Sequence, residues 1–461
     1  MYKIDANMLQ CALLECKQKS SRIQMTKEQL QEEIIQKVRE YYALAHAPKQ
    51  EFIPGVSRIN YAGRVFDCSE LENATEAVLE FWLTSGKWTK RFEQSLAKYL
   101  GVKYALMVNS GSSANLLAFF ALTSPLLQER QVKRGDEIIT LAAGFPTTIA
   151  PMIQYGALPV FVDIDERANI DVSALDSALS PKTKAVMIAH TLGSPFDITS
   201  VKAFCTRHNL WLIEDNCDAL GSLYQGRKTG TFGDIGTSSF YPPHHLTTGE
   251  GGAVYTSDPL LKKILLSMRD WGRECFCESG VDNTCGARFS KQCGELPYGY
   301  DHKYVYSHFG FNLKATDLQA AIGVAQLEKI ESFSAKRREN HARLCELLQG
   351  VRGLSVIGAR GEASPSWFGC LMMVDSAQRR VALVQHLESK GIQTRALFAG
   401  NIIKHPCFTH LENGRDYRVV GDLARTNAMM ERGFWVGVYP GLEQAQIEYI
   451  AQAIKEGCNA R

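Results

Sequence analysis

Five short apolar runs, each followed by a segment long enough for a helix, limit what this chain can fold into. They occupy residues 104–109, 137–141, 159–163, 185–190 and 210–214. Runs this short and this continuously apolar suit strands buried on both faces. Alternation with helical segments predicts βαβ units and a largely parallel sheet. Residues 237–241 and 252–256 add two further strands. The expected fold class is therefore α/β, with a mostly parallel seven-stranded sheet in a large domain over 96–325. A smaller C-terminal α/β domain is expected over 326–461. Residues 1–95 read as an N-terminal helical segment, in which Thr26 caps an amphipathic helix running to Tyr42. Residues 317–349 read as one long helical stretch.

Bulk composition removes several function classes. The net charge of +2, with 22% charged residues, gives no electrostatic case for nucleic acid or an anionic membrane. No apolar run reaches the roughly 18 residues of a membrane span. The first residues hold no secretory core segment, so a cytoplasmic enzyme is expected. Thirteen cysteines is an odd count in a large chain, and a disulfide framework is a poor reading of it.

Candidate ligand-binding residues fall where strands end, the place where α/β sheets collect ligands. Ser110-Gly111-Ser112-Ser113 follows a strand and opens a helix. Its amides and hydroxyls suit a phosphate, although a plain helix cap has the same sequence. Asp215 closes the run 210–214, where a carboxylate can hold a pyridine nitrogen protonated. Phe145, in Gly144-Phe145-Pro146, can stack on a flat ring or fill a core. The segment Ser239-Phe240-Tyr241-Pro242-Pro243-His244-His245-Leu246-Thr247-Thr248-Gly249-Glu250-Gly251-Gly252 carries two adjacent histidines. An imidazole moves protons near neutral pH but has no primary amine for a Schiff base.

Cys217, Cys275, Cys277 and Cys285 have the spacing Cys-x57-Cys-x-Cys-x7-Cys. Four thiolates can ligate one [2Fe–2S] cluster. They suit a structural zinc as well, though the spacing is not that of paired Cys-x2-Cys knuckles. Unbound thiols remain the third reading. Cys293 lies outside the pattern. Arg273 and Arg288 are placed to moderate the charge of a cluster.

Taken in order, the phosphate loop, the aromatic, the strand-end Asp and the Ser-Phe…Gly-Glu-Gly-Gly segment resemble the fold-type-I, pyridoxal-phosphate-dependent aminotransferase family that modifies nucleotide sugars (DegT/DnrJ/EryC/StrS). The resemblance runs from about residue 55 to the C-terminus. It implies that Gly111, Ser112 and Ser239 bind the cofactor phosphate, that Phe145 stacks on the ring and that Asp215 pairs with its nitrogen. Asn312, in Gly310-Phe311-Asn312-Leu313-Lys314, resembles the family's asparagine that reaches a neighbouring subunit's cofactor, which implies at least a homodimer. Lys314 departs from the usual Arg. Counting from Ser239 puts His244 in the place of the family's lysine.

With the four cysteines, that histidine resembles the branch that removes the C3 hydroxyl of CDP- or TDP-linked 4-keto-6-deoxyhexoses in 3,6-dideoxyhexose formation for a surface polysaccharide, CDP being the expectation. The resemblance implies pyridoxamine phosphate (PMP) held without a covalent anchor and a [2Fe–2S] cluster on Cys217, Cys275, Cys277 and Cys285. It also implies a separate NAD(P)H-dependent flavin/iron–sulfur reductase as electron donor. His244 is expected to act as the base at the C4′ carbon of PMP, with Asp218 and Tyr241 tuning the site. Arg395 is a candidate for gripping the nucleotide. An ordinary PLP aminotransferase, a lysine-less dehydratase without a cluster, and a regulatory protein with zinc at the cysteines are the rival readings.

Overall fold

The computed structural model describes residues 25–47, 51–277 and 279–459. The N-terminal residues before Met25, included in the expected helical segment, lie outside them. Helix α1 (Lys27–Ala45) opens on a capping box between Thr26 and Gln29. Helices α2 (Cys68–Glu80) and α3 (Lys87–Leu100) follow, α3 stopping at Gly101 in the left-handed conformation.

The main sheet then builds through β1 (Tyr104–Val108), α4 (Gly111–Ala121), β2 (Glu137–Leu141), α5 (Pro146–Tyr155), β3 (Leu158–Val162) and β4 (Thr183–Ala189). It continues through α6 (Ile198–Arg207), β5 (Trp211–Asp215), β6 (Ile235–Ser239), β7 (Gly252–Thr256) and α7 (Pro259–Arg269). Beyond these come α8 (Asp317–Glu328), α9 (Ile330–Leu347), β8 (Leu354–Val356), β9 (Gly369–Val374), α10 (Ala377–Ser389) and β10 (Thr394–Arg395). The chain ends through β11 (Arg418–Val419), α11 (Ala424–Arg432), β12 (Gly433–Gly437) and α12 (Gln444–Asn459).

All seven expected strands lie in the main sheet, but the sheet has eight, in the order β1-β7-β6-β5-β4-β2-β3-β11. The eighth, β11, comes from the C-terminal part and pairs in parallel with β3. Arg418 fixes it there by donating to the Glu137 carboxylate and to the Ala178 carbonyl. Only the pairings of β7 with β1 and with β6 are antiparallel. The expected long helix is two helices, α8 and α9, with Lys329 capping the first and starting the second.

Side chains along the strands alternate between two cores, as the pleat requires. Ile139, Val186, Ile188 and Leu212 face one. Ile138, Ala185, Met187 and Ile213 face the other. A second, antiparallel sheet of order β8-β9-β12-β10 lies beside the first core. Leu371 and Trp435 from that sheet, and Phe368 just before it, pack into the same cluster as β3 and β4. The two sheets therefore share one apolar wall, and the cavity below lies where that wall meets the strand ends.

Candidate active site

Strands β1, β2, β4, β5 and β6 end on one edge of the sheet. The residues that follow them line a cavity of about 430 Å³. Helix α4 starts there, with Ser110 Oγ accepting from the Ser113 amide. Its first residue has to be glycine, because a Cβ on Gly111 would meet Ser239 Cβ at 2.3 Å. That contact presses the helix start against the end of β6 and brings Ser112 and Ser239 to one side of the cavity. A helix N-terminus flanked by hydroxyls is a seat for a phosphate.

Asp215 ends β5 and is almost fully buried. Asn115 Nδ2 and Thr148 Oγ1 both donate to its Oδ2 at 2.7 Å, and the Cys217 amide donates to Oδ1 at 3.1 Å. Thr237 Oγ1 in turn donates to Asn115 Oδ1 at 2.7 Å. The carboxylate is held at one angle and faces the same cavity. Neither Asn115 nor Thr148 figures in the sequence reading. Asn115 lies one helical turn beyond Ser112, and that spacing is the signal for it. Phe145 caps α5, lines the cavity and is 48% exposed, so it forms part of the cavity wall and not of the core. Phe398 meets it edge-on at 6.3 Å.

The two histidines separate cleanly. His245 is buried, and its Nε2–H donates to the Ser366 carbonyl at 2.7 Å. Burial, reinforced by Arg337, pulls its imidazole well below the ordinary range, so it is a neutral structural group. His244 lines the cavity instead. Its Nδ1 lies 3.4 Å from Asp218 Oδ1, an ion-pair separation and not a formed hydrogen bond. Its ring lies 5.2 Å from Phe368 and 6.5 Å from Tyr241. Arg337, absent from the sequence reading, is fully buried on α9 and donates to the His244 and Trp367 carbonyls, each at 3.1 Å. Burial pulls its guanidinium below the ordinary range, with Asp218 opposing that shift.

Arg395, exposed on β10, lies at the cavity margin with its guanidinium 4.1 Å from the Tyr61 ring centre. Asn312 does not reach this cavity. It is exposed in a bridge with Asp270 on another part of the surface. Lys314 beside it is engaged by Asp270 at 3.4 Å and by the Trp271 ring.

The four cysteines, expected as one ligand set, are not gathered into one. Cys217 lines the 430 Å³ cavity, whereas Cys277 lines a different one beside α3. Cys275, Cys277 and Cys285 are electrostatic neighbours in their loop. Thr284 Oγ1 donates to Cys277 Sγ at 2.8 Å, and Cys285 Sγ is 3.8 Å from His302 Nδ1. The cause is local. The Cys217 amide is tied to Asp215 at the strand end, while bridges of Asp270 with Asn312 and of Arg273 with Tyr306 hold the base of the cysteine loop elsewhere. Among the described residues no three of these thiols lie within 4.8 Å of one another, so the four are not drawn together as one ligand set. Arg288 is engaged by Asp301 and Asp282.

A phosphate seat at a helix start and a buried carboxylate at a strand end, on a mostly parallel sheet, define a fold-type-I pyridoxal-phosphate-dependent enzyme. The chain belongs to the DegT/DnrJ/EryC1/StrS aminotransferase family, whose model matches residues 66–455. It is 50% identical over 436 residues to the lipopolysaccharide biosynthesis protein RfbH of Salmonella typhimurium (strain LT2), covering 94% of this chain and 99% of that one. It is 47% identical over 426 residues to the dTDP-4-dehydro-2,6-dideoxy-D-glucose 3-dehydratase of Saccharopolyspora spinosa, covering 92% and 91%. Among solved structures it resembles the E. coli GDP-4-keto-6-deoxy-D-mannose-3-dehydratase with bound hydrated PLP. There the TM-score is 0.76 at 30% identity, with 86% of this chain and 98% of that chain covered. The chain is a sugar 3-dehydratase-like enzyme of this PLP-dependent family.

Proposed function

We propose that this enzyme dehydrates a nucleotide-linked 4-keto-deoxyhexose at C3, using PMP that no side chain tethers and His244 as the base. One observation carries the reading: of the two adjacent histidines, His244 enters the cavity that holds Asp215, while His245 is turned away onto Ser366. The residues present fit PMP. Gly111, Ser112 and Ser239 would hold the phosphate, Phe145 would offer a ring face, and Asp215, oriented by Asn115 and Thr148, would pair with the ring nitrogen. When bound, the cofactor supplies an amine for the sugar ketone and a ring that accepts electrons. His244 would accept the proton at the cofactor's C4′ carbon, with Asp218 3.4 Å behind it to orient the ring. The Phe368 and Tyr241 rings lie 5.2 Å and 6.5 Å from the imidazole and form the cavity wall beside it. Arg395 provides cationic charge at the cavity margin for the diphosphate of the substrate.

The nucleotide expected from sequence is CDP. The relative at 47% identity acts on a dTDP sugar, so dTDP is the better-supported choice. Removing the C3 oxygen for good requires two electrons and two protons that dehydration does not supply. A separate NAD(P)H-dependent flavin/iron–sulfur reductase is the proposed donor. The support for a [2Fe–2S] cluster on Cys217, Cys275, Cys277 and Cys285 is the cysteine spacing taken with the histidine at position 244. Iron and sulfide analysis after anaerobic purification tests it, and a colourless, iron-free protein would remove it. A homodimer in which Asn312 faces the partner's cofactor is also proposed. Its support is the exposed aromatic surface of Trp271, Tyr306 and Phe309 in the adjoining loop.

The test of the central reading is His244→Lys. A lysine at this position should form a Schiff base with added PLP, visible as an imine absorption band and trapped by borohydride, while the wild type forms none. A folded His244→Lys protein without such a band would show that position 244 does not face the cofactor.

A further inference from the structure

We propose that His341, Cys345 and Cys370 form a zinc site in the C-terminal half of the chain, apart from the cofactor cavity. His341 and Cys345 lie four residues apart on α9 and so share one helix face. Cys370 on β9 meets that face. The ligand atoms of the three all lie within 4.8 Å of one another, and among the described residues no other three metal-capable side chains converge so closely. Cys345 Sγ is 3.5 Å from His341 Nδ1. The His341 ring stacks on Trp367 with centres 3.8 Å apart and planes 7° from parallel, which fixes the imidazole plane. Cys370 is buried in one cluster with Leu344, Phe434 and Val436, His341 is buried as well, and Cys345 is half-buried.

Two thiolates and one imidazole are a donor set that zinc takes with its fourth position open. Soft sulfur donors select against magnesium and calcium. Cys345 is the partly exposed member, so a water ligand enters from its side. Binding balances as one Zn²⁺ taken up and two thiol protons released. Buried cysteines alone are ordinary small apolar residues. The convergence of both with an imidazole inside an apolar cluster is what distinguishes this place.

The site would brace the neighbours of His244. Arg337, one turn before His341 on α9, donates to the His244 and Trp367 carbonyls. Phe368, which packs on the His244 ring, immediately precedes β9. A metal that pins α9 to β9 therefore stiffens both supports of that histidine.

The experiment uses the full chain, reduced and free of metal, in a variant with Cys275, Cys277 and Cys285 all changed to Ser. It is given Zn²⁺ alone, then Co²⁺ alone. The proposal expects about one zinc per chain after desalting, a Tm raised by several degrees, and thiolate-to-cobalt charge-transfer absorption. Cys370→Ser or His341→Gln in the same background should lose the retained zinc. If the background protein retains no zinc and its Tm does not move, the proposal is overturned. Zinc retained undiminished by both further variants overturns it as well. Should either variant misfold, the cobalt spectrum of the background protein decides, since absence of thiolate charge transfer there contradicts the site. None of these readouts depends on PMP or on turnover, so failure here leaves the proposed dehydration untouched.

Discussion

His244 Nδ1 stands 3.4 Å from Asp218 Oδ1, and both side chains are largely buried. A carboxylate set behind an imidazole orients the ring and stabilises its protonated form, which a base must become in the transition state. Asp218→Asn keeps the shape and removes the charge. It should lower kcat by about 10²-fold or more, toward the roughly 10⁴-fold loss on neutralising the carboxylate that orients a catalytic histidine, with KM little changed. Steady-state kinetics separates this from a binding role, in which KM alone would rise.

The Oδ2 of Asp215 is held by two neutral side-chain donors, Asn115 and Thr148, each at 2.7 Å, while the Cys217 amide holds Oδ1. Hydrogen bonds to a charged group contribute about 1.5–3 kcal/mol. Asn115→Leu should therefore weaken PMP retention and kcat together, and Thr148→Val should do so to a similar degree. Cofactor content after gel filtration, read by absorbance, is the measurement. Full retention in both variants would mean that Asp215 is oriented without them.

Burial keeps His245 neutral in the folded protein. In the unfolded chain it protonates below about pH 6.5. Its folded value is lowered, so its contribution is complete above that pH and is lost as pH falls toward the folded value. The Tm should decline from pH 7.5 to 5.5, with up to about 1.4 kcal/mol per pH unit arising from this group. His245→Gln can keep a donor for the Ser366 carbonyl without titrating. It should flatten the decline, and an unchanged slope would show that His245 is not the group responsible.

Arg395 is the one Lys or Arg among the described residues that line the cavity. Arg395→Ala should raise KM for the nucleotide sugar by about tenfold, the equivalent of one charged contact of roughly 1.4 kcal/mol, and leave kcat near the wild-type value. Titration with free nucleoside diphosphates, dTDP against CDP, would show the same loss and rank the two bases. An unchanged KM would return Arg395 to the role of an exposed charge stacked on Tyr61.

The strands of the main sheet were legible because burial on both faces forces continuous apolar runs at regular intervals. Ser112, Phe145 and Asp215 were legible because each follows such a run, Ser239 because it opens the Ser-Phe…Gly-Glu-Gly-Gly segment, and the structure brings all four to one cavity. What stayed hidden depends on distant parts of the chain. Strand β11 is two residues long and is held by Arg418 reaching Glu137, which no local pattern announces. The break between α8 and α9 leaves the apolar periodicity intact, so the two read as one. Counting from Ser239 already singles out His244, but the partner that turns His245 away, Ser366, lies 121 residues off and no local pattern announces it. The cysteine spacing gives the number of donors but not the place of the loop that carries three of them. Arg337 reads as one more charge on a polar helix until α9 is packed against the cavity wall.

The most direct measurement of the central claim is a single-turnover dehydration assay of His244→Asn loaded with PMP. A general base contributes about 10²–10⁴-fold. The variant should keep its cofactor and its affinity for the nucleotide sugar while the rate of C3 dehydration falls by at least the lower of those factors. A variant that binds PMP and still turns over within a few-fold of the wild type would assign the proton transfer to another side chain and contradict the account.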